Sequence, residues 1–201
     1  MAEIYFIDTK NYSIKELNID SLPAYRREKI ERLAHDGDKL KSACAGLMVK
    51  KFFGDKEIKL NEYGKPYIEN EKYFNLSHSG DYVILALSEF EVGCDVEVTR
   101  DADYKRLGKI VFHENELKML DETEDKKACF FKLWTAKEAF IKCLGEGFHF
   151  NTSALDLSEL PDKLSFGGRT FFFKEYMLNG AVIMLCTEDK ILPPVIKEIK
   201  L

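Results

Sequence analysis

Along Val92-Gly93-Cys94-Asp95-Val96-Glu97-Val98, apolar and acidic residues take turns. That period of two predicts a strand with Asp95 and Glu97 on one side and the aliphatic residues on the other. Over residues 126–144 the period lengthens to that of a helix. Trp134, Glu138 and Lys142 stand four residues apart and stack along one stripe, while Phe131, Ala136, Ala139, Phe140 and Cys143 supply the surface to be buried. The same two periods divide the rest of the chain. Residues 3–7 read as a short strand and residues 24–33, opened by Pro23, as a helix. A second helix begins at Asp38, carries apolar residues at 40, 43, 44, 47, 48 and 52, and stops at Gly54. Residues 61–66 read as a loop, and 73–76, 82–87 and 92–98 as strands between turn-prone segments.

The second half repeats that order, with helical segments over 105–120 and 126–144, a loop at 145–147, and then strands. Asn179-Gly180, between 171–178 and 181–187, marks a hairpin, because this dipeptide readily adopts the positive φ angles of a type I′ turn. Asp38-Lys39 followed by 47–54 bears a weak likeness to Asp125-Lys126 followed by 139–145. The pattern predicts an α+β fold of two lobes of about equal size, 1–101 and 102–201, joined near 99–104, with a ligand cleft between them.

Composition narrows the chemistry. A chain of 201 residues, 45% hydrophobic, can bury a sizeable core. Its net charge of −5 speaks against a general nucleic-acid binder. Between Arg26 and Lys51, however, eight Lys/Arg outnumber four Asp/Glu, a local excess suited to phosphate or to a solvated helix face. No basic segment followed by an apolar one opens the chain, and no later run has the length of a bilayer span, so the expectation is a cytoplasmic protein with no membrane partner. Five cysteines (Cys44, Cys94, Cys129, Cys143, Cys186) form no C-x-x-C pair and lie mostly in apolar segments, which predicts reduced core thiols.

Each chemistry-bearing cluster carries two readings. Asp95 and Glu97 suit Mg²⁺, whose ligands are hard oxygens, but a solvated acidic edge strand has the same pattern. Gly93 leaves room for close approach of a ligand to the backbone. Glu138 and Lys142 are either an i,i+4 pair on an amphipathic helix or a working pair whose carboxylate is made more basic by the indole of Trp134. Asn75-Leu76-Ser77-His78-Ser79-Gly80 is a functional strand end or a capped turn.

Taken in order, Asp38-x-x-Lys41-Ser42, Gly64-Lys65-Pro66, Asn75-Leu76-Ser77-His78-Ser79-Gly80, Val92-Gly93-Cys94-Asp95-Val96-Glu97 and Trp134-x-x-Lys137-Glu138-Ala139-x-x-Lys142 closely resemble the Sfp-type 4′-phosphopantetheinyl transferases. The resemblance implies two similar lobes forming a pseudo-dimer, each a small antiparallel sheet packed on helices. It also implies a monomeric, Mg²⁺-dependent enzyme that moves the phosphopantetheine arm of coenzyme A to a serine of an acyl or peptidyl carrier protein, releasing adenosine 3′,5′-bisphosphate. Position by position, Asp95, Glu97 and Glu138 become the Mg²⁺ ligands. Glu138 is also the base for the carrier serine, and Lys142 stabilises or protonates the leaving group. Arg26, Lys29, Lys41, Lys65 and His78 fall at coenzyme A contacts, mostly with its phosphates, with Ser42 and Ser77 beside them; Asp95, Lys137 and Lys142 join that set. Lys41 stands where arginine is common in the family, keeping the charge and losing the bidentate fork. A carrier would meet a basic and apolar patch, for which the lobe junction and the segment 106–120, with Ile110, Val111 and Phe112, are the candidates and core packing the competing reading.

Overall fold

The computed structural model describes residues 1–147, 150–160 and 162–201. Its first half runs β1 Glu3–Asp8, α1 Ala24–Arg32, α2 Asp36–Phe53, β2 Lys59–Leu60, β3 Pro66–Tyr67, β4 Tyr73–Ser79, β5 Tyr82–Ser88 and β6 Val92–Val98. Then follow α3 Tyr104–Val111, α4 Glu114–Glu122, α5 Lys126–Leu144, β7 Lys163–Phe166, β8 Arg169–Leu178, β9 Ala181–Thr187 and β10 Lys197–Glu198. This is the α+β class that the periodicities predict. Local chemistry sets the ends of the main helices. The Asp125 carboxylate accepts the Ala128 N–H at 2.9 Å to start α5, and Gly145 ends it in the left-handed region at φ 77. Gly54, at φ 66, closes α2. Asn179 and Gly180, at φ 47 and 83, make the expected hairpin turn between β8 and β9.

Two four-stranded sheets result, in the orders β10-β1-β5-β4 and β6-β9-β8-β7. All ladders are antiparallel except β1 with β10, which is parallel. One face of the first sheet packs Tyr5, Ile7, Val83, Leu85 and Leu87 against Cys44, Ala45, Met48, Val49 and Phe53 of α2. Its other face sets Ile4, Ile84 and Ala86 against Val92, Cys94, Val96, Ile183 and Leu185 of the second sheet. The far face of that sheet buries Phe171, Phe173, Met184 and Cys186 against Ala136, Ala139, Phe140 and Cys143 of α5. The molecule is therefore layered helix, sheet, sheet, helix. Each large side chain wholly buried in these layers, such as Phe140, contributes about 1.5–3 kcal/mol. All five cysteines are buried and free, and burial pushes the Cys94 thiol up to about 12.

Two expectations need correction. The helical segment 105–120 is two helices, because Phe112 turns into the core while His113 and Glu116 form a capping box that starts α4. Hydrogen bonding also crosses residue 101, since β6 forms its ladder with β9 and β10 returns to β1. Gly93 admits another part of the chain rather than a ligand. A Cβ added there would stand 2.1 Å from the Ala139 carbonyl oxygen and 2.3 Å from the Cys143 nitrogen, so β6 lies directly on the backbone of α5.

Gly93→Ala is accordingly expected to destabilise the fold by about 3 kcal/mol, since both obstructing atoms are backbone. Gly37→Ala, in the first turn of α2 with nothing within 4 Å of the added carbon, is expected to stabilise by up to about 1 kcal/mol. Urea unfolding of the two variants beside the parent chain checks both signs.

Candidate active site

β4 is the edge of the first sheet and β6 the edge of the second, and side chains rather than a backbone ladder join them. Asn75 Oδ1 accepts the Cys94 N–H at 2.9 Å, and Ser79 Oγ accepts the Val98 N–H at 3.1 Å. The Ser77 hydroxyl donates to Asp95 Oδ1 at 2.7 Å, and the Ser79 hydroxyl donates to Glu97 Oε2 at 2.8 Å. A Ser-x-Ser pair on one strand thus meets an acid-x-acid pair on the other, rung for rung. Because Gly93, Asp95 and Glu97 share the side of β6 opposite its core face, the glycine that seats α5 also aims the two carboxylates toward it.

From α5, Lys142 Nζ donates to Asp95 Oδ1 at 2.6 Å and to Ser77 Oγ at 3.2 Å. Asp95 is only 4% exposed, and its second oxygen, Oδ2, is buried with no hydrogen-bond partner among the described residues. Burial pushes the Asp95 carboxyl above its ordinary range, while Lys142 and Ser77 pull it back. Burial also works against the Lys142 charge, but Asp95 outweighs it and holds the ammonium above its usual value. Arg100 Nη1 lies 3.2 Å from Glu97 Oε2. Glu138 completes the group. It is half-buried and makes no hydrogen bond or ion pair with any described residue; burial raises its pKa, with the charges of Asp95 and Glu97 adding to the rise and Lys142 opposing it. Trp134 stacks on Phe130, ring centroids 5.8 Å apart, in the cluster that α3 and α4 share with α5.

The structure therefore brings Asp95, Glu97, Glu138, Lys142 and Ser77 together. The donor set fits a hard divalent cation: three carboxylates, one with an unused buried oxygen and one with no partner at all. Among the described residues, no three His, Cys, Asp or Glu side chains are grouped closely enough to cage a metal ion as they stand.

A cationic rim extends from this seam to α2. His78 follows Ser77 on β4; desolvation of its ring lowers its imidazole pKa, and the charges of Lys41 and Lys142 lower it further. Lys41 is 2.9 Å from Asp38. Arg26 lies against Gly46 of α2, where an added Cβ would meet its Nε at 3.2 Å. Its half-buried guanidinium makes no hydrogen bond or ion pair among the described residues, and burial lowers its pKa. Ser42 Oγ is buried without a partner among the described residues, and Lys29 is exposed on α1. Lys65 is engaged elsewhere, 2.5 Å from Glu91 and 2.9 Å from the Cys143 carbonyl oxygen, where it caps the C-terminal end of α5.

Lys137 is not brought to the seam. It is buried on the other side of α5, 2.8 Å from Glu116 Oε2, and donates to the carbonyl oxygens of Thr152 at 2.7 Å and Leu155 at 2.5 Å. With all three of its donors used inside the protein, it has none for a phosphate. On the proposed carrier segment, Phe112 is core at 3% exposed, whereas Ile110 is 70% exposed. Sequence reasoning missed Ser79, Asn75 and Arg100 as supports of the site. The signal was available for Ser79, since Ser77 and Ser79 have the same i,i+2 spacing as the acids they bond.

Residues 91–179 match the model of the 4′-phosphopantetheinyl transferase superfamily. The chain is 31% identical to the 4′-phosphopantetheinyl transferase Sfp of Bacillus subtilis over 161 residues, covering 70% of this chain and 71% of that protein. It is 41% identical over 91 residues to the 4′-phosphopantetheinyl transferase gsp of Aneurinibacillus migulanus, and 41% over 115 residues to AcpT of Salmonella typhi. The match spans only 38% and 59% of the length of these last two relatives.

The raised pKa of Glu138 has a measurable consequence. A carboxyl whose pKa rises on folding stabilises the fold while protonated and loses that contribution as the pH climbs through the raised value. Glu138→Gln, neutral throughout, is expected to raise the urea midpoint of the metal-free protein at neutral pH. The gain should fade as the pH falls toward and below the ordinary value of 4.5. Equal gains at both ends of that window would show that the charge of Glu138 is not what is relieved.

Proposed function

The chain belongs to the Sfp-type 4′-phosphopantetheinyl transferases, and from that premise we propose that it transfers the 4′-phosphopantetheine arm of coenzyme A to a serine of an acyl or peptidyl carrier protein. The observation that carries this reading is the meeting of Asp95, Glu97 and Glu138 with Lys142 at one seam, where Asp95 Oδ2 and the Glu138 carboxylate are left unpaired. Asp95, Glu97 and Glu138 would hold Mg²⁺, which when bound neutralises charge on the pyrophosphate of coenzyme A.

The residues of the chain divide the remaining work. Arg26, Lys29, Lys41 and His78, with the Ser42 hydroxyl, hold the phosphates of coenzyme A. Ser42 Oγ is buried without a partner among the described residues, and the half-buried Arg26 guanidinium offers charge-assisted donors beside α2. Glu138, made more basic by burial, accepts the proton of the carrier serine as its oxygen bonds to phosphorus. The bond from that phosphorus to the departing adenosine 3′,5′-bisphosphate breaks, and the Lys142 ammonium donates to the oxygen that takes up the charge. Lys65 supports the end of α5 and reaches coenzyme A only if it leaves Glu91. On α3, Leu107 and Ile110 are 38% and 70% exposed and flanked by Lys105, Arg106 and Lys109, a face suited to an acidic carrier. No helix among the described residues is long and apolar enough to cross a membrane, and we read the enzyme as a cytoplasmic monomer.

Intact-mass spectrometry of an apo carrier protein incubated with the chain, coenzyme A and Mg²⁺ tests the reading. One phosphopantetheine should be added to the carrier, and none when EDTA is present. Glu138→Gln should abolish transfer while coenzyme A still binds, and Arg26→Ala should raise the KM for coenzyme A. Unchanged turnover in the first variant, or an effect of the second on the carrier alone, would refute the assigned roles.

A further inference from the structure

Lys137 and Glu116 form a buried ion pair outside the seam, with side chains 3% and 0% exposed. Both are saturated. The Lys137 ammonium donates to Glu116 and to the carbonyl oxygens of Thr152 and Leu155. The Glu116 carboxylate accepts the His113 N–H at 2.7 Å and the Leu157 N–H at 2.8 Å besides Lys137. One pair of side chains thereby ties α5 to the first turn of α4 and to the segment that leaves α5 for β7. A buried ion pair is a poor source of net stability, because desolvation offsets the attraction and an apolar pair often does as well. Its directional bonds instead fix where a helix sits and how it is turned about its axis.

On α5, that rotation decides everything at the seam. Lys137 precedes Glu138, so the two side chains leave the helix about 100° apart. The Ala139 and Cys143 backbone is pressed on Gly93 from one side, and Lys137 is anchored on another. Between these two restraints, Glu138 and Lys142 have one orientation left. The geometry points to Lys137 and Glu116 as positioning residues for Glu138 and Lys142, acting through the rotation of α5 without touching substrate. This rests on the transfer reading above for its kinetic consequence, but not for its structural one.

The paired variant Glu116→Gln/Lys137→Met removes both charges, keeps the side-chain volumes and leaves an amide oxygen for the Leu157 N–H. It is expected to fold with a cooperative thermal transition and to transfer phosphopantetheine about tenfold or more slowly, with the KM for coenzyme A little changed. The sole tryptophan, Trp134 on α5, should become more readily quenched by acrylamide, reporting the turned helix independently of activity. If the paired variant does not fold, Lys137→Arg takes its place: the charge is kept, but the planar guanidinium cannot set three donors on the same acceptors, and the same two readouts apply. A folded variant with parental turnover and parental quenching would overturn the proposal and leave the pair as packing. If the parent chain itself modifies no carrier, the transfer reading falls, and Trp134 quenching still decides whether the pair sets the helix.

Discussion

The contact of one backbone with another at Gly93 is the constraint on which the rest of the site depends. Any side chain at that position would meet the Ala139 carbonyl oxygen and the Cys143 nitrogen, and α5 would have to move outward. Distance matters here because the working groups come from different elements: Asp95 and Glu97 from β6, Ser77 from β4, Glu138 and Lys142 from α5. Lys142 spans to Asp95 at 2.6 Å only while strand and helix are this close. The two-residue period of β6 then turns the glycine into a register mark, since the residue that touches the helix fixes which side chains face it.

Around that contact, the fold uses charges in two opposite ways. Lys137 and Glu116 have every donor and acceptor satisfied and hold α5 in place. At the seam, by contrast, Asp95 keeps an unpaired buried oxygen, Glu138 lacks any hydrogen bond, and the carboxyls of both are pushed up by burial. Arg26 and Ser42 repeat the pattern with donors in place of acceptors. Buried polar groups without partners are costly in the free protein, and a ligand carrying both cation and phosphate charge would relieve carboxylates and donors alike.

Much of this was legible in the sequence because the period of a strand or helix reports which side chains share a face. The alternation of 92–98 gave the two acids a common side, and the four-residue spacing on α5 gave Glu138 and Lys142 theirs. Asn179-Gly180 announced its hairpin through the φ angles it accepts. What stayed hidden was partnership across elements. Gly93 looks like room for a ligand because nothing local says that α5 fills the space. Lys137 resembled a phosphate contact because adjacency to Glu138 in the chain does not reveal that consecutive helical residues point to different sides. The pairing of β6 with β9, across almost ninety residues, likewise has no local signature.

The measurement that bears most directly on the seam as a joint cation and phosphate site is calorimetric titration of coenzyme A into the protein with and without Mg²⁺. Binding should occur in both conditions, through the cationic rim, and should be clearly tighter with the metal present. Asp95→Asn should erase that difference while leaving the metal-free affinity near that of the parent. Equal affinity with and without Mg²⁺ in the parent chain would mean that Asp95, Glu97 and Glu138 do not act together on a metal-bound pyrophosphate.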